Sequence, residues 1–439
     1  MNRRIKQVII GFAICIGLFI IIMPKIIGIG IQQAFNSDLL DQIPAKTNDQ
    51  IIVTNSLLEN GWFQSFISLD IEYNAPELNE MFYATVEFDI KHGPLILNED
   101  KIRIGLASAN IKLNSNIGEP FTPVSVELPP VFSSILIGLN QSLSATINIS
   151  PLSFKNNSYS VNFAGLNGEF VIRSNSSANA NISAGEFHIE NKNAGTEISI
   201  SGIEIKFNSE DLSRPNAPSD ASIIIPMMAT TDSTEFSASD IYVNFQVQTS
   251  DGSQKLINIS QSLNIGEMKS DLPLTSLSWA SEINEIQNEI FESYNQIFLT
   301  LQSQGGKDPM EVLAQTTRLS EEMSLLVVQN NLVLNNAIQA GLYGGEHNLK
   351  LKINWKGLPN LTNLNDLNFK KAISAIDANL NISLDRNAIE NSQFSSLIDQ
   401  YIEENYLVDN GSRLVLNGEL HNNEIILNDT TTLLEEFFQ

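Results

Sequence analysis

The sequence offers few side chains of the kinds that carry out acid–base or metal chemistry. The histidines are His92, His188, His347 and His421. None of them stands in an H-E-x-x-H motif or in a Cys/His pattern with the spacing of metal ligands. His188 falls in a strand-like segment and His421 in a predicted hairpin turn, so we expect the histidines to be structural or exposed. The sequence therefore predicts no metal and no cofactor.

Motifs for nucleophilic catalysis and phosphate binding are also missing. No G-x-S-x-G elbow occurs, and Gly305-Gly306-Lys307 lacks the upstream glycine of a phosphate loop. Acidic pairs such as Glu321-Glu322 and Glu403-Glu404 fall on predicted helices, where a solvated face explains them. Two carboxylates that face each other about 5–9 Å apart would suit a glycosidase. With 50 acidic residues, some pairs at this distance arise by chance, so the sequence alone identifies no catalytic pair. An envelope hydrolase with paired carboxylates stays open as the alternative function.

The first 31 residues have the features of a membrane anchor. An apolar run from Val8 to Met23 is followed by Pro24-Lys25 and by a second apolar stretch from Ile26 to Ile31. Basic residues, which stay on the cytoplasmic side, precede the run at Arg3, Arg4 and Lys6. About 20 apolar residues span the hydrocarbon core, and no A-x-A cleavage site follows. We predict an uncleaved signal anchor in residues 1–31 that contacts the membrane through residues 8–31.

The composition favours a single-pass protein of the bacterial inner membrane with its C-terminal body in the periplasm. Cys15, the only cysteine, lies in the apolar run, so the exported part has no disulfide, although roughly 400 residues can build a substantial core. The net charge is −25, and residues 1–31 hold four basic residues and no acid, which leaves −29 on the exported part. This negative charge argues against binding to nucleic acid and against electrostatic docking on anionic lipid.

Alternation of apolar and polar residues predicts antiparallel β-structure in the body. Ala84, Val86, Phe88 and Ile90 alternate with polar residues, and this period of two gives one buried and one wet face. The pattern recurs in residues 67–73, 102–106, 203–207, 241–247 and 349–355. Clusters of Asn, Gly and Ser separate these segments, as turns require. The sequence therefore predicts an α+β fold with a mostly antiparallel sheet.

Helical periodicity interrupts the strands in one region. The stripe of apolar residues from Ile283 to Leu301 has helical spacing, and Gly305-Gly306 ends it. A second helix is predicted from Pro309, which suits a first helical position, to about Gly341. Together these helices form an inserted hairpin. We also predict a third helix over Asn387–Tyr406 and a short helix over Leu433–Phe438.

These patterns divide the chain into four regions. They are the anchor in residues 1–31, an antiparallel β region in residues 32–275, the helical hairpin in residues 276–343, and a second β region in residues 344–439 that includes one helix and the short C-terminal helix. No repeat of solenoid period interrupts this order. We therefore expect one anchored body rather than a string of modules.

Several short motifs occur in a characteristic order. The first two are Asn60-Gly61-Trp62-Phe63-Gln64-Ser65 and His92-Gly93-Pro94-Leu95, and the last is Asn417-Gly418-Glu419-Leu420 followed by residues 424–428. Between them stand residues 151–154, 163–170 and 353–356. With the predicted anchor, the chain resembles the YdgA-like family of bacterial envelope proteins, also called DUF945, over nearly its whole length.

The resemblance implies an envelope protein with no assigned reaction and no catalytic residues to carry over. The motif residues of unknown role are Gly61, Trp62, Phe63, His92, Gly93 and Pro94. The residues themselves predict a turn at His92-Gly93-Pro94, in which Gly93 accepts an unusual φ and Pro94 fixes the chain. A ligand or proton-switch role for His92 stays open. We expect Trp62 and Phe63 to be core aromatics at a sheet edge, with a membrane-facing or ligand-facing role as the alternative.

We therefore expect a non-enzymatic, inner-membrane-anchored protein whose periplasmic body binds or scaffolds in the cell envelope. A large curved sheet with a helical hairpin over one face could enclose a groove for an apolar or lipid ligand. A protein of the envelope is the other candidate partner. Exposed strand edges also permit self-association into a homo-oligomer. An ordinary core needs the same apolar alternation, so the pattern alone does not decide among these partners.

Overall fold

Period-two alternation builds most of the chain into antiparallel strands. In the strand Glu80–His92, Phe88 lies directly opposite Ile67 of the strand Gln64–Ala75. Ile67 is buried, whereas Ser68, the next residue, projects from the other face because successive side chains alternate. The predicted α+β class with a mostly antiparallel sheet is confirmed.

The computed structural model describes residues 22–33, 35, 51–75, 80–98, 101–117, 126–127, 131–155, 159–214, 216–231, 235–250, 256–271, 273–302 and 309–433. The chain divides into two compact units, Met1–Ile189 and Glu190–Gln439. The predicted anchor before residue 22 and the predicted C-terminal helix after Leu433 lie outside the described residues. Leu433 itself ends a strand. Of the helices in the described ranges, none combines the length and the apolar character needed to cross a membrane.

The first unit is a helix against a meandering sheet. Helix α1 covers residues 22–33. The strands are β1 (Ile51–Asn60), β2 (Gln64–Ala75), β3 (Glu80–His92), β4 (Leu95–Asn98), β5 (Lys101–Ile104), β6 (Ala107–Ile117), β7 (Val126–Glu127), β8 (Val131–Ile137), β9 (Leu143–Ile149), β10 (Leu152–Lys155), β11 (Tyr159–Phe163), β12 (Leu166–Ile172) and β13 (Ala178–Ala184). The main order is β1-β2-β3-β6-β8-β9-β12-β13. β4 and β5 form a separate hairpin.

The core of the first unit lies where α1 meets the first strands. Ile67, Leu69 and Ile90 are buried there, and Ile31 of α1 and the following Phe35 pack against them. The rings of Phe35 and Phe88 lie 5.5 Å apart in a tilted arrangement. The helix therefore covers the apolar face of β2 and β3, and burial of these side chains stabilises its position.

The second unit continues the antiparallel meander with inserted helices. After β14 (Phe187–Asn191), which crosses the unit boundary, the strands are β15 (Thr196–Ile200), β16 (Ile203–Ser209), β17 (Ser219–Thr231), β18 (Glu235–Thr249), β19 (Leu256–Ile265), β20 (Glu267–Lys269), β21 (Leu274–Gln287), β22 (Leu332–Leu342), β23 (Gly345–Trp355), β24 (Ile376–Asp385), β25 (Val408–Asp409), β26 (Arg413–His421), β27 (Glu424–Leu427) and β28 (Thr430–Leu433). The helices are α2 (Asn288–Gln302), α3 (Pro309–Gln329), α4 (Phe369–Ser374), α5 (Arg386–Glu390) and α6 (Ile398–Glu403). The main order is β16-β17-β18-β19-β21-β22-β23-β24-β26-β27-β28.

The helical hairpin is shorter than the sequence predicts at both ends. Ile283 and Ile286 belong to β21, where they lie opposite Ile259 and Ile257. A spacing of three residues fits a helix, but a register shift next to these pairs lets both isoleucines face the core. The second helix ends at Gln329, and the predicted helical segment up to Gly341 is β22, which pairs on both sides. Sheet hydrogen bonds on both edges outweigh helical propensity there.

The single helix predicted over Asn387–Tyr406 is instead broken into α5, a short 3-10 turn and α6. Asp385 caps α5 by accepting a 2.9 Å hydrogen bond from the Ala388 amide. Ser392 then ends it, because its hydroxyl donates to the Ile389 carbonyl at 2.7 Å. Serine side chains that bond to nearby backbone compete with helix continuation in this way.

A core substitution in the second unit tests this packing. Ile257 is fully buried against Val247 and Ile286, so Ile257→Ala should lower the free energy of unfolding by about 2–5 kcal/mol. Ile198 on β15 is 45% exposed, and Ile198→Ala should cost less than about 1 kcal/mol. Urea denaturation of the detergent-solubilised full chain measures both. Equal losses would contradict the assigned core.

Candidate functional site

The structure brings the first two sequence motifs together at the end of β3. The turn between β1 and β2 carries Trp62 and Phe63, and its Gly61 amide donates to the Gln64 carbonyl at 2.8 Å. The His92 amide donates to the Phe63 carbonyl at 2.8 Å. Two segments that are about thirty residues apart in sequence therefore form one local structure.

A hydrogen-bonded group of three buried or half-buried side chains, the His92 network, forms the centre of this structure. Its members are His92, Ser65 and Asn60. The Ser65 hydroxyl lies 3.0 Å from Nε2 of His92 and 3.1 Å from Oδ1 of Asn60. His92 is 2% exposed and Ser65 is 1% exposed. The network is thus sealed from solvent, and each polar atom must find its partner inside the protein.

The hydrogen-bond acceptors of the His92 network outnumber its protons. Nδ1 of His92 lies 3.3 Å from the Trp62 carbonyl, and since a carbonyl only accepts, Nδ1 carries a proton. The single Ser65 proton then serves either Nε2 of His92 or Oδ1 of Asn60. Protonation of Nε2 would satisfy both, because Nε2 would donate to Ser65 and Ser65 to Asn60. The geometry therefore accommodates a second proton.

Burial opposes that second proton. It lowers the pKa of His92 from its ordinary value of 6.5, and the nearby positive charge of Lys25 lowers it further. Hydrogen bonds to the backbone of Trp62 and Pro24 offset this in part by raising the pKa. His92 is therefore neutral at pH 7 with its hydrogen on Nδ1.

Helix α1 forms the cover over the His92 network. Asn60 Nδ2 donates to the Gly28 carbonyl at 3.1 Å and to Oε1 of Gln32 at 3.0 Å. Pro24 and Gly28, one turn apart on α1, are both buried. A Cβ atom at Gly28 would lie only 2.6 Å from the His92 ring. Only glycine lets the helix approach this closely.

The distance between Ser65 and His92 is that of a nucleophile and its base, but the arrangement does not suit catalysis. Both side chains lie beneath α1 and lack the open cleft that a substrate would need. The Ser65 hydroxyl is also engaged with Asn60. We therefore assign the His92 network a positioning role, which is to seat α1 on the sheet.

The other motif residues depart from two expectations. Trp62 and Phe63 are 48% and 56% exposed, so the prediction that they are core aromatics is wrong. The φ angle of Gly93 is not positive, so the unusual φ expected at this glycine is not observed. Its glycine is required because a Cβ atom would lie 1.7 Å from the Gly105 carbonyl. The Gly93-Pro94 peptide is cis, and the chain turns there into β4.

In the part of the chain that the structure describes, the other histidines and the acidic residues do not assemble into a reactive site. His347 is buried and binds the Leu342 carbonyl through Nε2 at 2.9 Å. His421 is exposed and lies 2.8 Å from Asp377. Within the described ranges, no three His, Cys, Asp or Glu side chains converge as metal ligands. Each of these histidines therefore makes its own local contact.

An apolar band crosses nine paired strands of the second unit. Its members occupy successive register positions on one face of the sheet. They are Ile205, Ile223, Val243, Leu263, Trp279, Ile338, Leu349, Ile382 and Leu416. At about 4.8 Å per strand the band is about 38 Å long. Val243 and Ile338 are each 37% exposed.

The helical hairpin covers the same face beside the band. Ile290 and Phe291 of α2 pack against the buried cluster that contains Val247, and the Trp355 indole donates to the Val328 carbonyl at the end of α3. Val243 lies four residues along β18 from Val247, which is about 13 Å. The hairpin therefore protects one part of the apolar face and leaves the band partly exposed.

The opposite face of this sheet is polar. An open depression of about 630 Å³ there includes Glu282, Lys350, Lys352 and Glu419 in its lining. The register places Glu282 and Glu419 four strands apart, a separation of about 19 Å. That is too far for the two carboxylates of a glycosidase.

The carboxyl groups with shifted pKa values also lack the character of a general acid. A hydrogen bond from Ser213 lowers the pKa of Asp211, and one from Lys356 lowers the pKa of Asp377. Both groups stay ionised at neutral pH, whereas a general acid needs a raised pKa. They act as turn and strand contacts.

The order of the motifs along the chain agrees with a match to one protein family. The family model described as "Bacterial protein of unknown function (DUF945)" matches residues 1–434. The chain belongs to the DUF945 family. The resemblance inferred from the motifs is thereby confirmed. No curated protein and no solved structure matches the chain.

The sequence motifs did not reveal every contact of the site in this DUF945 protein. Ser65 and Asn60 were visible as motif residues, but their bonds to His92 and α1 were not. Pro24 follows the apolar run and Gly28 lies in the second apolar stretch, and both belong to the predicted anchor. A glycine on one helical face one turn from a proline was the available sign of a close helix contact.

The seating of α1 in the DUF945 protein can be tested with two neighbouring glycines. Gly28→Ala should displace α1, because the new Cβ would meet His92 at 2.6 Å and Asn60 at 2.8 Å. Gly30→Ala is the matched control, since a Cβ there meets nothing within 4 Å and alanine favours a helix. Hydrogen exchange of residues 22–33 in the full chain should accelerate at least tenfold only for Gly28→Ala. Equal exchange in the two variants would refute the contact.

The pH dependence of the same contact follows from the lowered pKa of His92. When α1 is undocked and His92 is solvated, its pKa returns toward 6.5, so the undocked state binds more protons. The stabilisation by neutral His92 is therefore complete above about pH 6.5 and declines as pH falls through the lower, docked pKa. Hydrogen exchange of residues 22–33, corrected for intrinsic rates, should become faster as the pH is lowered from 7 to 5. The His92→Gln substitution should abolish this increase. An unchanged pH response in His92→Gln would contradict this assignment.

Proposed function

We propose that this DUF945 protein is a non-enzymatic binding protein of the bacterial cell envelope, anchored in the inner membrane, whose periplasmic sheet binds an acyl chain. The observation that carries the proposal is the apolar band from Ile205 to Leu416. It contains no charged or hydrogen-bonding group apart from the indole of Trp279. A ligand that covers it must itself be apolar.

The band is long enough to accommodate an extended acyl chain. One leaflet of hydrocarbon is about 15 Å thick, and the band is about 38 Å long. Ile223, Val243 and Ile338 of the band are 36–37% exposed, and its other six members are partly buried. Exposed apolar patches on a protein surface mark binding sites. Removal of the band from water supplies the binding energy.

The N-terminal sequence supports the location. The basic residues before the apolar run and the run itself predict a signal anchor, and the DUF945 family is described as one of bacterial proteins, which supports an envelope location of bacterial type. The alternative, an envelope hydrolase with paired carboxylates, gains no support from Glu282 and Glu419, which stand about 19 Å apart.

Photocrosslinking in whole cells tests the proposal at adjacent positions that face opposite ways. Benzoylphenylalanine replaces either Ile338, in the band, or Gln339, which projects from the polar face. After irradiation the full chain is purified and its intact mass is measured. We expect a lipid-sized adduct at position 338 and none at position 339.

The other outcomes separate the candidate occupants. An adduct with a second copy of the chain at position 338 would replace the acyl ligand with self-association. An adduct with a different protein would make the band a protein-docking surface. Equal lipid adducts at positions 338 and 339 would indicate nonspecific contact with membrane and would overturn the proposal.

A further inference from the structure

The hairpin of β4 and β5 exposes an apolar face. Leu95 lies opposite Ile104, and Leu97 lies opposite Ile102. Leu97 and Ile102 are each 70% exposed. Ile96, on the other face of the hairpin, is fully buried and holds it against the first unit. The two cross-strand pairs therefore form an apolar patch that no described segment of the chain covers.

The roots of the hairpin stand beside the His92 network. The Gly93 amide donates to the Leu106 carbonyl at 2.7 Å, and the Gly105 amide donates to the Pro94 carbonyl at 3.1 Å. The exposed aromatics Trp62 and Phe63 are joined to His92 through their carbonyls. The hairpin and the aromatic turn therefore occupy the same end of the first unit.

Helix α1 adds a third apolar element at this end. Its inner face, with Pro24 and Gly28, is docked on the His92 network. Its outer face exposes Ile22, Ile26 and Ile29 to between 44% and 54%. A helix that is apolar all round belongs in a protein core or a membrane. The inner face of α1 has its core, whereas no part of the chain that the structure describes packs on the exposed isoleucines of its outer face.

The local charge at this end is opposite to that of the chain. The described residues of 22–33, 60–65, 91–98 and 101–106 contain basic residues and no acidic one. The basic residues include Lys25, Lys101 and Arg103. The connection between β4 and β5 holds Glu99 and Asp100, which lie outside the described residues. Basic side chains beside an apolar patch are complementary to anionic phospholipid headgroups.

We propose that these three elements, the apolar end surface, lie in the interface of a phospholipid bilayer. The surface consists of the outer face of α1, Trp62 with Phe63, and the apolar face of the β4–β5 hairpin. Tryptophan favours this interface because its ring is apolar and its N–H is polar. The predicted anchor leads directly into α1, so the bilayer adjoins this surface. The inference rests on the membrane anchoring in the proposed function and is independent of the acyl ligand.

Fluorescence of the full chain in vesicles tests this placement. Cys15→Ser removes the only cysteine, and Leu97→Cys then carries an environment-sensitive NBD label. Tyr83→Cys is the control, because Tyr83 is 55% exposed but lies nine residues along β3 from His92, about 30 Å away. The chain is reconstituted in phosphatidylglycerol mixed with phosphatidylcholine. We expect a blue shift, a several-fold gain in emission and quenching by brominated lipid at position 97, and no change at position 83.

Each further outcome bears on a different step. A label at position 97 that stays in water while the chain floats with the vesicles would overturn the interface placement and leave the anchoring intact. A chain that does not float would overturn the anchoring on which both proposals rest. Emission that rises with protein-to-lipid ratio, without quenching by brominated lipid, would assign the surface to a second copy and refute the bilayer.

Discussion

Strand register is the constraint on which this structure depends. Because the side-chain period of a strand is two, a slip of one residue would move every side chain to the other face. The pairing of Trp279 with Leu263 and Ile338 places the apolar band on one face. The same register places Lys350 and Glu282 on the other. A slip of one strand would interrupt the band and bury charge, so the sequence strongly disfavours it.

This dependence explains which parts of the fold the sequence could predict. The strand around Val86 and Phe88 was predictable because one wet and one buried face leave a period of two. The ends of the helical hairpin were not, because Ile283 and Ile286 satisfy helical spacing and still face the core across a register shift. Pairing partners, which are distant in sequence, decide between the two structures. Local pattern does not contain that information.

The candidate site was predictable only in part for a similar reason. The motifs drew attention to His92 and Trp62, but the acceptor for His92 is a backbone carbonyl and its cover is α1. Motif order does not show whether an aromatic points inward. Trp62 and Phe63 are exposed because their turn lies at the end of β1 and β2, beyond the strands that form the core.

The charge at one end of the first unit differs from the average over the chain. A net charge of −25 argues against contact with anionic lipid if charge is spread evenly. Acidic residues such as Glu87 and Asp89, however, lie on the polar face of a strand, where alternation requires hydrophilic side chains. The end of the first unit has a different composition because α1, the aromatic turn and the β4–β5 hairpin converge there. Charges more than about 8–10 Å away are screened at physiological ionic strength. In the proposed bilayer contact, the basic residues nearest the headgroups, rather than the total charge, set the sign of the interaction.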